Sequence, residues 1–266
     1  MSANATTSEP QNLRREHDIV SPEEWIAARK ELLKKEKESV RLLDRLSAER
    51  RQLPWVKVDK NYAFDAPGGK VALAELFAGR SQLVVYHFMF GPDWQEGCPS
   101  CSFVSDHFDG ALAHLAARDV TMVAISRAPL AKIEAFKKRM GWRFQWVSSY
   151  GGDFNADFHV SFTEEEIAAH RGCYNFQWID PSLTDLSGDS AFYKDENDQI
   201  FHTYSAYGRG SEQFLGIYGI LDVMPKGRNE MGPTHKLGDW AKPHDMYGKG
   251  GTVEPNGRYH AARQAR

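Results

Sequence analysis

A pair of cysteines follows a continuous apolar run, and no other feature of this sequence constrains the fold as much. The run is Leu83-Val84-Val85-Tyr86-His87-Phe88-Met89-Phe90, and the pair lies in Gly97-Cys98-Pro99-Ser100-Cys101-Ser102. The Gly and Pro residues are typical of turns, so the pattern predicts a buried strand that turns into a helix at Cys98. Free amide N–H groups and the helix dipole at such a position favour a thiolate. The pattern therefore predicts a redox-active dithiol, and its alternative is two cysteines that serve only as small apolar side chains.

The composition predicts an ordinary globular protein. The chain has 266 residues, of which 41% are hydrophobic and 26% charged, enough to bury a full core. Residues 1–10 lack the pattern of a secretory signal, and no run approaches the roughly 18 apolar residues of a membrane span. We therefore expect a cytoplasmic protein with no membrane partner, in which paired thiols are catalytic or metal-bound instead of a structural disulfide. The net charge of -3 predicts no nucleic-acid partner.

The N-terminal region divides into a predicted disordered tail, residues 1–20, and a predicted helix within residues 21–53. Ser21-Pro22-Glu23-Glu24 combines an N-cap, a proline in the first turn and an acidic residue three positions after the cap. Five apolar residues fall near one stripe of this helix: Trp25, Leu32, Val40, Leu43 and Leu46. The stripe predicts either packing on the domain or a homodimer contact.

Residues 54–225 have the pattern of an α/β domain. Predicted strands alternate with predicted helices, which indicates a parallel sheet with right-handed crossovers. A hairpin follows at 191–204, then a final helix at about 211–223, and residues 226–266 are predicted to be an extended tail. An aromatic insertion at 150–188 interrupts the alternation of predicted strands and helices. Its aromatic residues are predicted either to form a lid over Cys98 or to complete the core.

Several segments resemble a known family. They are Tyr86-His87-Phe88-Met89-Phe90, Trp94-x-x-Gly97-Cys98-Pro99-Ser100-Cys101-Ser102, Phe192-Tyr193-Lys194-Asp195, Phe201-His202-Thr203-Tyr204, Tyr207-Gly208-Arg209-Gly210, Leu221-Asp222-Val223-Met224-Pro225-Lys226-Gly227-Arg228 and His244-Asp245-x-Tyr247. Through these segments the chain resembles a bacterial thioredoxin-like family catalogued as domain of unknown function 899. Its segment from Phe64 to Phe77 is similar to the segment that begins the peroxiredoxin domain. The resemblance implies a thioredoxin-like fold: a central mixed sheet flanked by helices, with an N-terminal helical extension and a long insertion before the C-terminal hairpin.

Two positions differ from thioredoxins. Gly97 stands where thioredoxins have a tryptophan, and Asp189-Ser190 precede the hairpin strand where thioredoxins have a cis-proline. Peroxiredoxins also need a proline and a Thr or Ser at fixed positions before the reactive cysteine, where this chain has Gly91 and Gln95. We therefore expect a small or specific partner instead of broad protein disulfides.

The residues predict thiol–disulfide exchange, in which Cys98 attacks and Cys101 resolves. The predicted auxiliary residues are Trp94, Pro99, His87 and His107, and each histidine also has a purely structural interpretation. The expected partners are a disulfide or small-molecule substrate and an electron donor that the sequence does not identify. Two alternatives stay open: a thiol peroxidase that uses the same pair, and a non-enzymatic module that binds a ligand or partner through the insertion.

Zinc binding is the main alternative to redox chemistry for the cysteine pair. Cys173 with His170, His235 or His244 would have to add two ligands to the pair, but no second pair has metal-ligand spacing. We therefore expect no metal and no cofactor.

Overall fold

The fold is described from a computed structural model, which describes residues 17–228, 230, 237–247, 252–253 and 259–260. Most of the predicted N-terminal tail, residues 1–16, lies outside this part of the chain. The chain divides into two units, residues 1–53 and residues 54–266.

Within the described residues of the first unit, one helix, α1, spans Pro22–Arg50. The predicted capping box is present: the Ser21 amide donates to the Glu24 carboxylate at 2.9 Å, and the Glu24 amide donates to Ser21 Oγ at 3.2 Å. These two bonds satisfy amides that have no partner in the first helical turn. The five apolar residues of the predicted stripe are all exposed, and the homodimer contact stays a prediction.

The second unit consists of short strands and helices. Its strands are β1 (Val56–Lys57), β2 (Ala63–Ala66), β3 (Gly69–Ala72), β4 (Gln82–His87), β5 (Val120–Ser126), β6 (Gln145–Ser148), β7 (Gly172–Tyr174), β8 (Gln177–Ile179), β9 (Gly188–Lys194), β10 (Ile200–Tyr207), β11 (Thr252–Val253) and β12 (Tyr259–His260). Its α-helices are α2 (Pro99–Ser105), α3 (Leu112–Ala116), α4 (Leu130–Met140), α5 (Phe154–Asp157), α6 (Glu164–Ala168) and α7 (Gly216–Leu221). Short 3-10 helices lie at Glu75–Phe77, Gly208–Phe214, Leu237–Asp239 and His244–Met246.

One mixed sheet of eight strands organises this unit. The strand order is β1-β10-β9-β4-β5-β6-β2-β3. The strand before the cysteines, β4, is central, pairing in parallel with β5 and antiparallel with β9. The parallel pairs and the antiparallel β9–β10 hairpin confirm the predicted thioredoxin-like fold, with the dithiol at the carboxyl end of its central strand.

Apolar side chains cover both faces of the sheet. On one face, here called the cysteine face, Tyr86 and Ala124 belong to the same cluster as Cys98 and Cys101. On the opposite face, Val85 and Val123 pack with a second cluster. Successive residues of a strand point to opposite faces, which explains this division.

The aromatic insertion supplies the core of the opposite face. Phe154 and Phe158 are buried in that cluster with Phe192, and Phe154 packs edge-on against Phe64. For these two residues the core interpretation is confirmed and the lid interpretation is wrong. Trp178, by contrast, lies on the small β7–β8 hairpin and is 65% exposed.

Two predicted helices are broken in the structure. The helix predicted to begin at Cys98 ends at Ser105, and α3 follows it as a separate helix. The predicted final helix consists of the 3-10 helix Gly208–Phe214 followed by α7. Part of the predicted C-terminal tail is packed: within Leu237–Tyr247, Ala241 is fully buried.

Candidate functional site

Cys98 is the N-cap of α2. Its amide donates to the Met89 carbonyl at 3.1 Å, and its own carbonyl accepts from the Ser102 amide and the Ser102 hydroxyl, both at 2.9 Å. Pro99 begins the helix, where a missing N–H costs nothing. These bonds fix the Cys98 backbone at the end of the central strand.

Gly97 is required by close packing. A Cβ atom at this position would lie 2.7 Å from the Phe88 ring and 3.0 Å from the Phe136 ring. A tryptophan, which thioredoxins have here, does not fit without moving both rings. The packing of Phe88 and Phe136 therefore explains why this chain has glycine where thioredoxins have tryptophan.

The loop before Cys98 is held by side chains of α4. Lys132 Nζ donates to the carbonyls of Pro92 and Trp94 at 2.8 and 3.0 Å, and Arg139 pairs with Glu96 at 3.0 Å. The Trp94 side chain is buried in the same apolar cluster as both cysteines. Trp94 thus shares an apolar cluster with the dithiol and Pro99 follows Cys98 in the chain, and the auxiliary role of both residues stays a prediction.

Cys101 lies one turn further along α2 and is buried. The Met89 amide donates to its sulfur at 3.4 Å, and its thiol is hydrogen-bonded to the Tyr86 hydroxyl. Both cysteines are free thiols, with 4% of Cys98 and 1% of Cys101 exposed.

The two sulfurs have opposite electrostatic environments. The hydrogen bond from the Cys101 thiol, with those from the amides of Cys101 and Ser100, lowers the pKa of Cys98 below its usual range in spite of burial. Burial, followed by the hydrogen bond and charge of Cys98, raises the pKa of Cys101 well above its usual range. The site therefore favours a Cys98 thiolate beside a protonated Cys101.

Sequence reasoning missed three residues of this site: Tyr86, Asp189 and Ser211. Asp189 is paired directly opposite Tyr86 in the β4–β9 ladder and accepts a hydrogen bond from the Ser211 hydroxyl. Burial raises the pKa of Asp189 to about 7. The available signal was an acidic residue close before the apolar part of the predicted hairpin strand, Ala191-Phe192-Tyr193, since a buried carboxyl group is rare without a reason.

The two predicted auxiliary histidines do not join the sulfurs. His87 is fully buried among Phe154 and Phe158 on the opposite face of the sheet, where its Nε2 bonds to Ser190 Oγ at 2.8 Å. Burial lowers the pKa of His87 to about 3, so it is neutral there. His107 bonds to the Phe103 carbonyl through Nδ1 and accepts from the Ile217 amide through Nε2. Both histidines have the structural role that was their alternative interpretation.

The residues considered for zinc are engaged elsewhere or lie apart. His170 contacts Asp180, and His244 contacts Asp106 at 2.7 Å. His235 lies outside the described residues. In the described part of the chain, no three His, Cys, Asp or Glu side chains form a group that could hold a metal ion.

A C-terminal segment, here called the strap (residues 237–247), lies over α2. A Cβ atom on Gly238 would lie 3.7 Å from Ser100 Oγ, and the Trp240 ring packs edge-on against Phe103 at 5.2 Å. Arg139 holds Asp245 through two hydrogen bonds of 2.9 and 3.1 Å. The strap therefore borders the dithiol at Ser100.

Comparisons with known proteins identify a family and similar structures. The sequence pattern of the family described as "Bacterial protein of unknown function (DUF899)" matches residues 14–247. No curated protein matches the sequence. No described helix is long and apolar enough to cross a membrane.

Among solved structures, peroxidoxin BcpB from Mycobacterium tuberculosis is 15% identical, with a TM-score of 0.41 over 61% of this chain and 90% of that chain. Peroxiredoxin Q from Xanthomonas campestris is 15% identical, with a TM-score of 0.38 over 62% of this chain and 92% of that chain. A hypothetical protein from Sinorhizobium meliloti 1021 is 14% identical, with a TM-score of 0.35 over 56% of this chain and 68% of that chain. These scores are too low to carry a function across, so a function has to be argued from the site.

Proposed function

This chain belongs to the DUF899 family of bacterial proteins of unknown function, and from its site we propose that it is a thiol–disulfide oxidoreductase in which Cys98 attacks and Cys101 resolves. The observation that carries the proposal is the contrast between two adjacent thiols. The pKa of Cys98 is lowered, whereas the pKa of Cys101 is raised. Thiol exchange needs this asymmetry, because the attacking group is a thiolate, whereas the second thiol stays protonated until the mixed disulfide has formed.

The reaction proceeds in two displacements. The Cys98 thiolate attacks one sulfur of the substrate disulfide, so a Cys98–substrate bond forms and the other half leaves as a thiolate. Cys101 then loses its proton and attacks Cys98, which forms the Cys98–Cys101 disulfide and releases the second half as a thiolate. Two electrons pass from the protein to the substrate, and an electron donor of unknown identity returns them.

A small or specific substrate fits this site better than a broad range of protein disulfides. Only 4% of Cys98 is exposed, and the strap lies beside Ser100 in the Cys-x-x-Cys turn. A large protein disulfide would have to displace these covering residues, whereas a small disulfide would displace fewer of them. Slow reduction of insulin with faster reduction of a small disulfide is the expected result.

Limiting iodoacetamide with peptide mass spectrometry tests the proposal. We expect Cys98 to be alkylated faster than Cys173 near neutral pH, although Cys173 is the more exposed thiol. Cys101→Ala should move the alkylation midpoint of Cys98 to higher pH, because it removes the hydrogen bond that contributes most to the lowered pKa. Cys173→Ala is the matched control and should leave the Cys98 profile unchanged. Equal reactivity of Cys98 and Cys173 would refute the assignment of the nucleophile.

The same variants separate the alternatives. A thiol peroxidase would oxidise Cys98 with hydrogen peroxide to a sulfenic acid, which Cys101 converts to the disulfide with release of water. Faster reaction with peroxide than with a small disulfide would favour that function. A binding module needs neither sulfur, so unchanged ligand or partner binding in Cys98→Ser, with inert thiols in the wild type, would favour the third interpretation.

A further inference from the structure

Helix α1 presents a stripe of large apolar side chains that stays exposed in the described part of the chain. The helix has 29 residues, and none of them is buried. At 3.6 residues per turn the stripe covers about 120° of the helix surface, a width typical of a face that packs against a partner. Its members are Trp25, Ile26, Leu32, Leu33, Val40 and Leu43. Because helices gain most of their stability from packing such a face, we expect α1 to have a partner.

An ion pair lies in the middle of this stripe. Arg29 Nη2 donates to Glu36 Oε2 at 2.7 Å, across two helical turns. Both residues fall within the apolar arc, whereas the other charged residues between positions 22 and 43 fall on the remaining surface of the helix. The midpoint of the pair lies between Leu32 and Leu33. Charges within an apolar seam add little free energy of association, but they select the orientation and register of the partner helix.

The ion pair is complementary to itself in an antiparallel arrangement. In a parallel pair in register, Arg29 would face Arg29 of the partner subunit, and Glu36 would face Glu36 of the partner subunit, so both contacts would be repulsive. In an antiparallel pair with a two-fold axis between Leu32 and Leu33, each residue lies level with the residue equally far beyond the axis. Arg29 then lies level with Glu36 of the partner subunit, and the symmetry repeats this contact.

The apolar residues match in the same register. Trp25 lies level with Val40 of the partner subunit, and Pro22 lies level with Leu43 of the partner subunit. The overlap from residue 22 to residue 43 is about 33 Å long, or about three heptads. Since the same stripe supplies both members of every contact, the surface fits a second copy of itself. A different protein would require no such symmetry.

We propose that two copies of this chain form an antiparallel homodimer through α1, in which Arg29 of each copy pairs with Glu36 of the other. Burial of the apolar stripe supplies the free energy of association, and the ion pairs set the orientation. The contact involves neither cysteine of the dithiol, so it goes beyond the proposed oxidoreductase function and does not depend on it.

Sedimentation equilibrium of the full chain over a concentration series tests the dimer. We expect the wild type to have the mass of two chains. Arg29→Glu and Glu36→Arg should each raise the dimer Kd at least about tenfold, because each change makes both charge contacts repulsive. An equimolar mixture of the two variants should restore the mass of two chains. Arg41→Glu and Glu38→Arg are the matched controls: they make the same charge changes on the opposite face of α1 and should keep the wild-type Kd.

Disulfide cross-linking tests the orientation. Leu33→Cys places a cysteine beside the two-fold axis, where the two copies lie within the roughly 6 Å between Cα atoms that a disulfide spans. Trp25→Cys should not link to itself, because its two copies are about 22 Å apart along an antiparallel pair. A mixture of Trp25→Cys and Val40→Cys should link. Peptide mass spectrometry identifies the joined residues, so the native cysteines do not confuse the result.

The outcomes decide the proposal without reference to Cys98. A wild type with the mass of one chain at every concentration overturns it and assigns the stripe to the second unit or to another protein. A Trp25→Cys variant that links to itself overturns the antiparallel orientation, and a wild-type Kd in both Arg29→Glu and Glu36→Arg overturns the register. The cysteine variants keep both charges, so they test the contact even if a charge variant loses its helix.

Discussion

Asp189 is held in the fold at a cost in stability that depends on pH. Its pKa is about 7 in the folded protein and about 3.8 in an unfolded chain. Between these values the native state binds more protons than the unfolded state, so the free energy of unfolding falls as the pH rises. The loss amounts to about 4 kcal/mol at most and is complete above the folded pKa.

Asp189→Asn removes this titration. We expect the variant to gain stability relative to the wild type as the pH rises from about 4 to about 7, with no further gain above that, because asparagine stays neutral. Urea denaturation at several pH values measures the difference. Asp222→Asn is a control of opposite sign, since the Arg228 hydrogen bond lowers the pKa of Asp222 and its contribution is lost as the pH falls. A stability difference between Asp189→Asn and the wild type that does not vary with pH would contradict the assigned titration.

At the scale of elements, the aromatic insertion has a core part and a surface part. Helix α5 carries Phe154 into the cluster under the opposite face, where 1% of its surface is exposed. The β7–β8 hairpin carries Trp178, a residue that is 65% exposed. The Arg171 guanidinium lies over its ring, 4.4 Å from the ring centroid. The sequence presents both as aromatic residues of one irregular segment, but burial gives them different energetic roles.

Phe154→Ala and Trp178→Ala measure this difference. We expect Phe154→Ala to cost about 3 to 5 kcal/mol, because it removes a buried ring and leaves a cavity. Trp178→Ala should cost less than about 1 kcal/mol, because most of its ring already contacts water. Urea denaturation of the two variants gives both values. Equal losses would mean that the hairpin is as much a part of the core as α5.

At the scale of the whole molecule, residues far apart in the chain enclose the dithiol. The strap, near the C-terminus, borders Ser100 and is anchored by the buried Ala241 side chain and by the pairs Arg139–Asp245 and Asp106–His244. A surface ion pair contributes little stabilising free energy by itself. We therefore expect burial of Ala241 and packing of the Trp240 ring to contribute most of the free energy that holds the strap in place.

Ala241→Asp tests whether the strap limits access to Cys98. A carboxylate at a fully buried position has no partner, so it should displace the strap and increase the alkylation rate of Cys98. Lys242→Ala is the matched control, because it changes the net charge by the same amount at a partly exposed neighbour. A folded Ala241→Asp variant with the wild-type Cys98 rate would show that the strap does not limit access. A thermal unfolding transition establishes that the variant is folded.

Local features determined what the sequence could predict. Pro99, Gly97 and the apolar run of β4 set the strand, the turn and the position of the cysteines, and Ser21 with Glu24 sets the start of α1. These signals act between neighbours in the chain, through fixed backbone angles, hydrogen bonds to free amides and hydrophobic periodicity. The positions of Cys98 and Cys101 in the site follow from them.

Only the tertiary structure decided which residues meet the dithiol. His87 and Tyr86 are adjacent in one strand, yet the pleat turns His87 to the opposite face and Tyr86 to the cysteines. Asp189 joins the site because β9 pairs with β4 in a register that sets it against Tyr86, more than one hundred positions away. Strand pairing, register and the face that a helix covers depend on contacts between distant segments, and a one-residue shift would turn Asp189 to the other side of the sheet.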